Sequence, residues 1–489
     1  MQAGSLRLCL KLALGATAFS LWCGVSLLIQ VAGDGPVEYF LGNWREPFGV
    51  GIQFRIDLLN ALVLVAISSV AFLTAIYSTR LVREETRGKE ALFYSLYLLQ
   101  VTGLSGMTIT ADAFNLFVLL EVASLTGYGL IAMGASRRGT LAAFNYVIMG
   151  TIGASFYLIG VGYLYIKTGA LNMIEIRAII AESGLASDRM IHVAFILMTI
   201  GVWIKMAFFP LYGWLPNAYT YSPSSTGALI APLTTKVSVY VMIRILLSVF
   251  GADYALRRRT GGVVVWLAVI AILAGSILAL AQTEFKRMLC YLIVAEVGYM
   301  VGGVWLENRM GVLGAVYHIV SDAAMTLCLF LAAGIIIRQT GGYGYAKFDR
   351  LFRRMPVTMA AFCVGAFSMI GIPPTCGFFS KWYLIQGAIE AGRWEYVAAL
   401  LISSLINAIL FFKVIEIAFF GAKPAEGHDH GHGDHGHGGG EKIVEAPGSM
   451  LFPLLCAAAL ILFIGIFNTQ IADLIGRALD AFPVVGTAK

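Results

Sequence analysis

Glu121, Lys205, Lys236, Glu296, His318, Asp322 and Lys381 are ionisable residues set within long apolar runs. Glu121 lies in FNLFVLLEVASLTGYGL, Lys205 in IGVWIKMAFFP, Lys236 in ALIAPLTTKVSVYVMI and Lys381 in PPTCGFFSKWYL. At bilayer depth such a side chain costs at least about 2.5–3.5 kcal/mol, so each needs a partner, a wet cavity or a role. Burial favours the neutral form of either group, and an opposite charge nearby restores the charged form. A glutamate and a lysine brought together stabilise each other's charges. When the lysine swings to another neighbour the glutamate favours taking a proton, and lysines can hand protons along bound water. The competing reading of any one residue is a structural ion pair or a lysine reaching to the headgroups. An acid with three lysines, two of them beside helix breaks, favours proton transfer.

His318 and Asp322 in VYHIVSDAAMTLCLF are four apart and share a helix face. Histidine titrates near neutral pH and suits a relay between two lysines; a hydrogen-bonded core histidine is the plainer alternative. Glu296 in YLIVAEVGYM is a further acid in mid-run. Lys413 and Glu416, three apart, fit either a pair that reaches to the headgroups or the exit of a path.

These residues need helices that cross a bilayer. Of 489 residues, 59% are hydrophobic and 13% charged, with a mean hydropathy of +0.81; soluble domains carry about 25% charged residues. Apolar runs recur from end to end, each long enough to cross a core of about 30 Å as a helix. Lipid leaves the backbone to satisfy itself, so the chain reads as an all-α polytopic membrane protein. About thirteen transmembrane helices are expected. They fall roughly at 9–31, 56–78, 91–110, 113–133, 141–167, 191–221, 224–250, 262–281, 288–305, 311–337, 357–386, 394–420 and 450–475. The N-terminal run follows Arg7 and Lys11, is too long for an ordinary signal peptide, and is expected to be retained.

Two of these runs are interrupted. One reads GVWIKMAFFPLYGWLPNAY, with Pro210 and Pro216; the other reads MIGIPPTCGFFSKWYLI, with Pro373 and Pro374. Proline removes a donor and clashes with the preceding turn, and a bilayer tolerates such breaks only under cover of protein or a wet cavity. Packed proline kinks would explain either run alone. A lysine beside each break favours an inverted-repeat transporter with its site near the breaks.

Short-loop basic residues set the orientation. Arg7 and Lys11, then Arg80, Arg83, Arg87 and Lys89, then Arg137 and Arg138, then Lys286 and Arg287, then Lys347, Arg350, Arg353 and Arg354 fall on one side; Arg257, Arg258 and Arg259 fall on the other. The expected location is the plasma membrane, with the N-terminus and the histidine-rich loop in the cytoplasm. That loop, 421–448, holds five of the seven histidines and is too polar and glycine-rich to pack. A solvated linker is its plain reading and weak metal buffering its functional one. A net charge of +6 spread over short loops points away from nucleic acid. The seven cysteines form no CxxC pair, and no P-loop or dinucleotide fingerprint is present, so neither a cofactor nor a metal is expected.

Around these residues the chain resembles the D subunits of Mrp-type monovalent cation/proton antiporters. It resembles, more widely, the proton-conducting subunits of complex I and membrane-bound hydrogenases. The resemblance rests on residues 39–65, TADAFNLFVLLEVASLTGYGLIA, FNYVIMGTIGASFYLIGVGYLYIKTGALNM, IKMAFFPLYGWLPNAY, TTKVSVYVMIR, QTEFKRMLCYLIVAEVGYM and GIPPTCGFFSKWYL, in that order along nearly the whole chain. It implies two inverted five-helix repeats, each with a discontinuous helix. The corresponding division is 1–110 for the N-terminal helices, 111–255 and 256–420 for the repeats, 421–448 for the loop and 449–489 for the C-terminal helix. It implies further that Glu121 and Lys205 are the paired acid and lysine, Lys236 the connecting lysine, Lys381 the terminal one and His318 the first residue of the central relay.

The chain departs from that family twice. It is expected to lack one helix at its N-terminus. Where the family often places a second histidine and then a lysine, this chain has Asp322 and Thr326, and Asp322 or Glu296 is expected to substitute. The resemblance implies a proton-conducting subunit of a multisubunit Na⁺/H⁺ antiporter, with other membrane subunits as partners. The alternative is a pump module of a complex I-like NADH/quinone oxidoreductase or membrane-bound hydrogenase, driven by redox chemistry elsewhere. Energising another uptake system, or metal transport through the histidine-rich loop, are weaker readings.

Overall fold

The computed structural model describes residues 2–44, 51–86, 88–134, 136–251, 254, 261–421 and 443–482, with only the backbone of 2–7 and 346. The histidine-rich segment 422–442, Arg87 and the run Arg257–Arg259 lie outside the described residues.

Helix α1 spans Gln2–Asp34 and is followed by a hairpin of β1 (Val37–Phe40) and β2 (Gln53–Ile56), paired antiparallel with Val37 opposite Ile56. Then come α2 (Leu58–Thr86), α3 (Glu90–Ile109), α4 (Ala113–Ala132) and α5 (Arg137–Thr168). A short α6 (Met173–Glu182) precedes α7 (Arg189–Lys205), α8 (Leu215–Thr220) and α9 (Ser224–Arg244), which runs on as a π-turn over Ile245–Phe250. The second half holds α10 (Gly261–Leu280), α11 (Phe285–Trp305), α12 (Arg309–Thr340), α13 (Pro356–Ile370), α14 (Cys376–Glu390), α15 (Trp394–Phe420), α16 (Gly448–Ile466) and α17 (Asn468–Asp480).

Among the described residues eleven helices are long and apolar enough to cross a membrane. The expected runs 191–221 and 357–386 are not among them, because each is laid out as two shorter helices, α7 with α8 and α13 with α14. The expected span 450–475 also divides: α16 ends at Ile466, and α17 is a separate amphipathic helix, with Ala472, Ile475, Ala478 and Leu479 buried and polar residues on the other face. The helices fall into two environments. Along their apolar windows α11, α12 and the α9 run to Phe250 are 94% buried, whereas that of α1 is 17% buried. A helix apolar all round belongs at the centre or against lipid, so α9, α11 and α12 form the centre and α1 the rim.

Both breaks leave carbonyls that an intact helix would use, and side chains arriving from beyond the break take them up. After α7 the chain leaves helical geometry at Ala207 (φ 59°), and the Trp214 indole Nε1 donates to Ile204 O at 2.9 Å. Pro210 lies inside this break, while Pro216 sits in the first turn of α8, where proline is tolerated. The second break begins at Gly371 (φ 94°), which caps α13, and contains Pro373 and Pro374. Lys381 and Asn407 both donate to Met369 O, at 2.7 and 3.1 Å. Close helix approach fixes the lysine on α7: a Cβ on Gly201 would stand 2.6 Å from Gly153 O on α5.

Asp112 caps α4, accepting from Asn115 N, and so sets the start of the helix that carries Glu121. Burial pushes its carboxyl up, from 3.8 to about 6. The folded chain therefore keeps a proton that the unfolded chain releases above about pH 4. The stability this contributes is full below that value and is lost as pH rises through about 6, at most about 3 kcal/mol. Asp112→Asn caps equally well. It is expected to melt above the wild type at about pH 8, with the advantage reduced to about a third at about pH 4.5, in thermal denaturation.

Candidate functional site

The ionisable residues of the sequence assemble into three acid–base pairs and one lysine held apart from them. In the first pair, Lys205 ends α7 and its Nζ lies 3.1 Å from Glu121 Oε1 on α4. The ammonium also donates to Ser124 Oγ at 2.7 Å. Ser124 is one turn from Glu121 on the same face, so both contacts come from one side of α4. Lys205 is buried while the Glu121 side chain keeps 24% exposure, so the acid lies nearer the outer face of the bundle than its partner.

The second pair joins the two halves of the chain. Lys236 on α9 places its Nζ 2.9 Å from Asp322 Oδ2 on α12, with both side chains buried. That contact lacks hydrogen-bond direction at Oδ2 and acts as a close ion pair. Thr326 locks it: its hydroxyl donates to Asp322 Oδ1 at 2.7 Å and accepts from Lys236 Nζ at 3.3 Å. The ammonium also donates to Ala231 O at 3.2 Å, and Pro232 lies in that turn of α9. Asp322 and Thr326, the positions where this chain departs from the family pattern, are thus the partners of Lys236.

The third pair is His318 and Glu296, with Nε2 to Oε2 at 2.6 Å and both side chains fully buried. Ser380 Oγ lies 2.9 Å from His318 Nδ1 and donates its own proton to Gly377 O at 3.0 Å. With the Ser380 proton on Gly377 O, Nδ1 would be the donor to Ser380, and a single proton would then lie between Nε2 and the carboxyl group. Glu296 Oε1 has no protein donor among the described residues. The structure thus gives His318 a carboxyl and a hydroxyl as direct partners. His318 and Asp322 share a face of α12, yet each is bonded to a different neighbouring helix.

Lys381 follows Ser380 on α14 and forms no ion pair with a carboxylate among the described residues. Its ammonium donates to Met369 O at 2.7 Å, Ile370 O at 3.3 Å and Ser404 Oγ at 3.0 Å, and lies over the Tyr299 ring at 5.3 Å. Two of those acceptors are the freed carbonyls at the C-terminal end of α13, where the helix dipole is negative. The second break thus supplies the counter-charge that carboxylates supply elsewhere.

Lys286, expected in a loop, is instead buried in the first turn of α11, with Nζ donating to Ser222 O at 2.7 Å. The readable signal is its four-residue spacing to the buried Cys290. Lys413 lies over the Tyr345 ring at 5.6 Å and forms no ion pair with Glu416.

Comparison with known proteins places this arrangement. Residues 110–407, well over half of the chain, match the family model described as NADH:quinone oxidoreductase/Mrp antiporter, TM. The chain belongs to this family. The N subunit of the NADH-quinone oxidoreductase of Desulforudis audaxviator is 41% identical over 89% of this chain and 86% of its own length. The D subunit of the Na(+)/H(+) antiporter of Bacillus subtilis is 31% identical over 78% of this chain and 76% of its own. A chain of the Mrp complex from Dietzia sp. DQ12-45-1b superposes with a TM-score of 0.85 at 26% identity, covering 98% of this chain and 93% of that one. The antiporter-like fold expected from the two interrupted helices is therefore the fold of this family member, a multi-pass membrane protein.

Proposed function

We propose that this chain is a proton-conducting subunit of a multisubunit Na⁺/H⁺ antiporter. The observation that carries the reading is the Lys236–Asp322 pair at 2.9 Å, which bridges α9 and α12 between two further acid–base pairs. Glu121–Lys205 receives a proton in the first half, Lys236–Asp322 carries charge across, His318–Glu296 passes one shared proton, and Lys381 releases it. Each lysine that leaves its acid favours protonation of that acid, so charge displacement at one pair biases the next. Moving one charge across about 100 mV is worth about 2.3 kcal/mol, enough to couple a proton path to a cation path elsewhere in the complex. The repeats 111–255 and 256–420 each contribute one interrupted helix to this path. Basic short loops support a plasma-membrane location with the N-terminus and the histidine-rich loop cytoplasmic. The similarity to the antiporter D subunit of Bacillus subtilis and to a chain of the Mrp complex supports membrane-subunit partners and Na⁺ at the level of the complex.

A second reading, a proton-pumping arm driven by redox chemistry in other subunits, is favoured by the 41% identity to an N subunit of NADH-quinone oxidoreductase. Purification of the native complex in mild detergent, with mass spectrometry of its companions, separates the two. Small multi-span companions without cofactors, and Na⁺-driven proton movement in everted vesicles, are the expected result. Companions that carry iron–sulfur, nickel or quinone chemistry, with no Na⁺-driven proton movement, would replace the antiporter by the redox arm.

A further inference from the structure

At the end of the bundle opposite the start of α1, a cavity of about 230 Å³ is built from groups that the proton path does not use. Its lining includes three guanidiniums, Arg55, Arg177 and Arg244, against one carboxylate, Asp57. The one carboxylate is already spent: Arg244 Nη2 lies 2.6 Å from Asp57 Oδ1, which also accepts from Leu59 N and Asn60 N at the start of α2. Arg244 is further fixed by donating to Tyr240 Oη at 2.6 Å. Arg177 reaches in from α6 and donates to Leu247 O at 3.2 Å. Arg55 is tied to Glu38 at 2.9 Å, but both side chains are about a third exposed, and such a pair holds an arginine weakly.

The lining thus carries excess positive charge in a partly enclosed space, with the Thr110 and Ser248 hydroxyls alongside. A cation is repelled there, and guanidinium forks match phosphate oxygens two at a time. The cavity sits where α2 begins and the α9 run ends, the depth of lipid headgroups for helices of this length. We propose that this cavity binds a phosphate group, from an anionic phospholipid headgroup or as free phosphate. The site is tied to the transport machinery by one helix: Lys236, Tyr240, Arg244 and Ser248 follow at four-residue steps along one face of α9 and its π-turn. Lys236 lies about 12 Å along the axis from Arg244.

The test reads binding, not transport, so it stands or falls apart from the antiporter reading. The full chain, purified in detergent, is titrated with phosphatidylglycerol, with phosphatidylcholine, and with inorganic phosphate at constant ionic strength. Thermal denaturation and native mass spectrometry are the readouts. A saturable rise in melting temperature with phosphatidylglycerol and not phosphatidylcholine is expected, and in Arg177→Gln its midpoint shifts about tenfold, the loss of one charged hydrogen-bonding group. Arg55→Gln, at the exposed hairpin, shows the same direction and serves if Arg177→Gln does not fold. A saturable rise with inorganic phosphate that competes with the lipid supports the site with free phosphate as its ligand; a rise with lipid alone assigns it to the headgroup. No saturable rise with either, or the same midpoint in both arginine variants, overturns the proposal.

Discussion

Asp322→Asn is expected to cost this protein both its proton transport and a large part of its stability, unlike a change at a solvated ion pair. Asp322 and Lys236 are buried together at 2.9 Å, and Thr326 is bonded to both. Removing one partner of a buried pair strands the other charge and costs about 3–5 kcal/mol. Replacing both by apolar groups of similar volume is often neutral. Lys236→Met with Asp322→Leu is therefore expected to melt close to the wild type. Its transport should remain absent, because no group is left to carry charge between α9 and α12. Thermal denaturation of the purified protein, with proton uptake in everted vesicles, reads both. A double variant that still transports would remove this pair from the path. A single variant as stable as the wild type would show that Lys236 finds another counter-charge.

The reach of the sequence stops at the same pair. Glu121, Lys205 and Lys381 are legible because each is a charge in an apolar run, the two lysines beside breaks, and the cost of a charge in lipid makes such residues stand out. The breaks are legible through Pro210, Pro373 and Pro374, although Pro216 begins a helix. Beyond the Glu121–Lys205 pairing that the resemblance implies, the partners are not legible. Asp322 stands out as a substitute in the relay, but what it touches comes from α9, a contact of large sequence separation that no local spacing encodes. The same holds for Glu296 with His318, which requires α11 to lie against α12. Lys286 reads as a loop residue because a basic doublet at a helix start is a topology signal; its burial depends on Ser222, delivered by the turn after α8. The freed carbonyls that hold Lys381 can be inferred from the prolines only in kind, since a sequence shows which backbone groups lose partners but not which side chain replaces them.

Lys205 separates the need for a charge from the need for a mobile proton. Lys205→Ala is expected to lower Na⁺-driven proton movement by about a hundredfold or more, the scale of losing a positioned proton-transfer group. Its effect on melting should be small beside that of Asp322→Asn, because the Glu121 side chain left behind keeps 24% exposure and can be neutralised by a proton in place. Lys205→Arg is the sharper variant. Arginine keeps the positive charge and can still reach the carboxylate on α4, but it stays protonated under all conditions of transport. If Lys205 serves only to balance Glu121, the arginine variant conducts. If it must give up its proton as it leaves Glu121, the arginine variant folds, keeps the ion pair and does not conduct. The second outcome is expected, because a residue that passes protons on must lose one as well as gain one, and arginine does not.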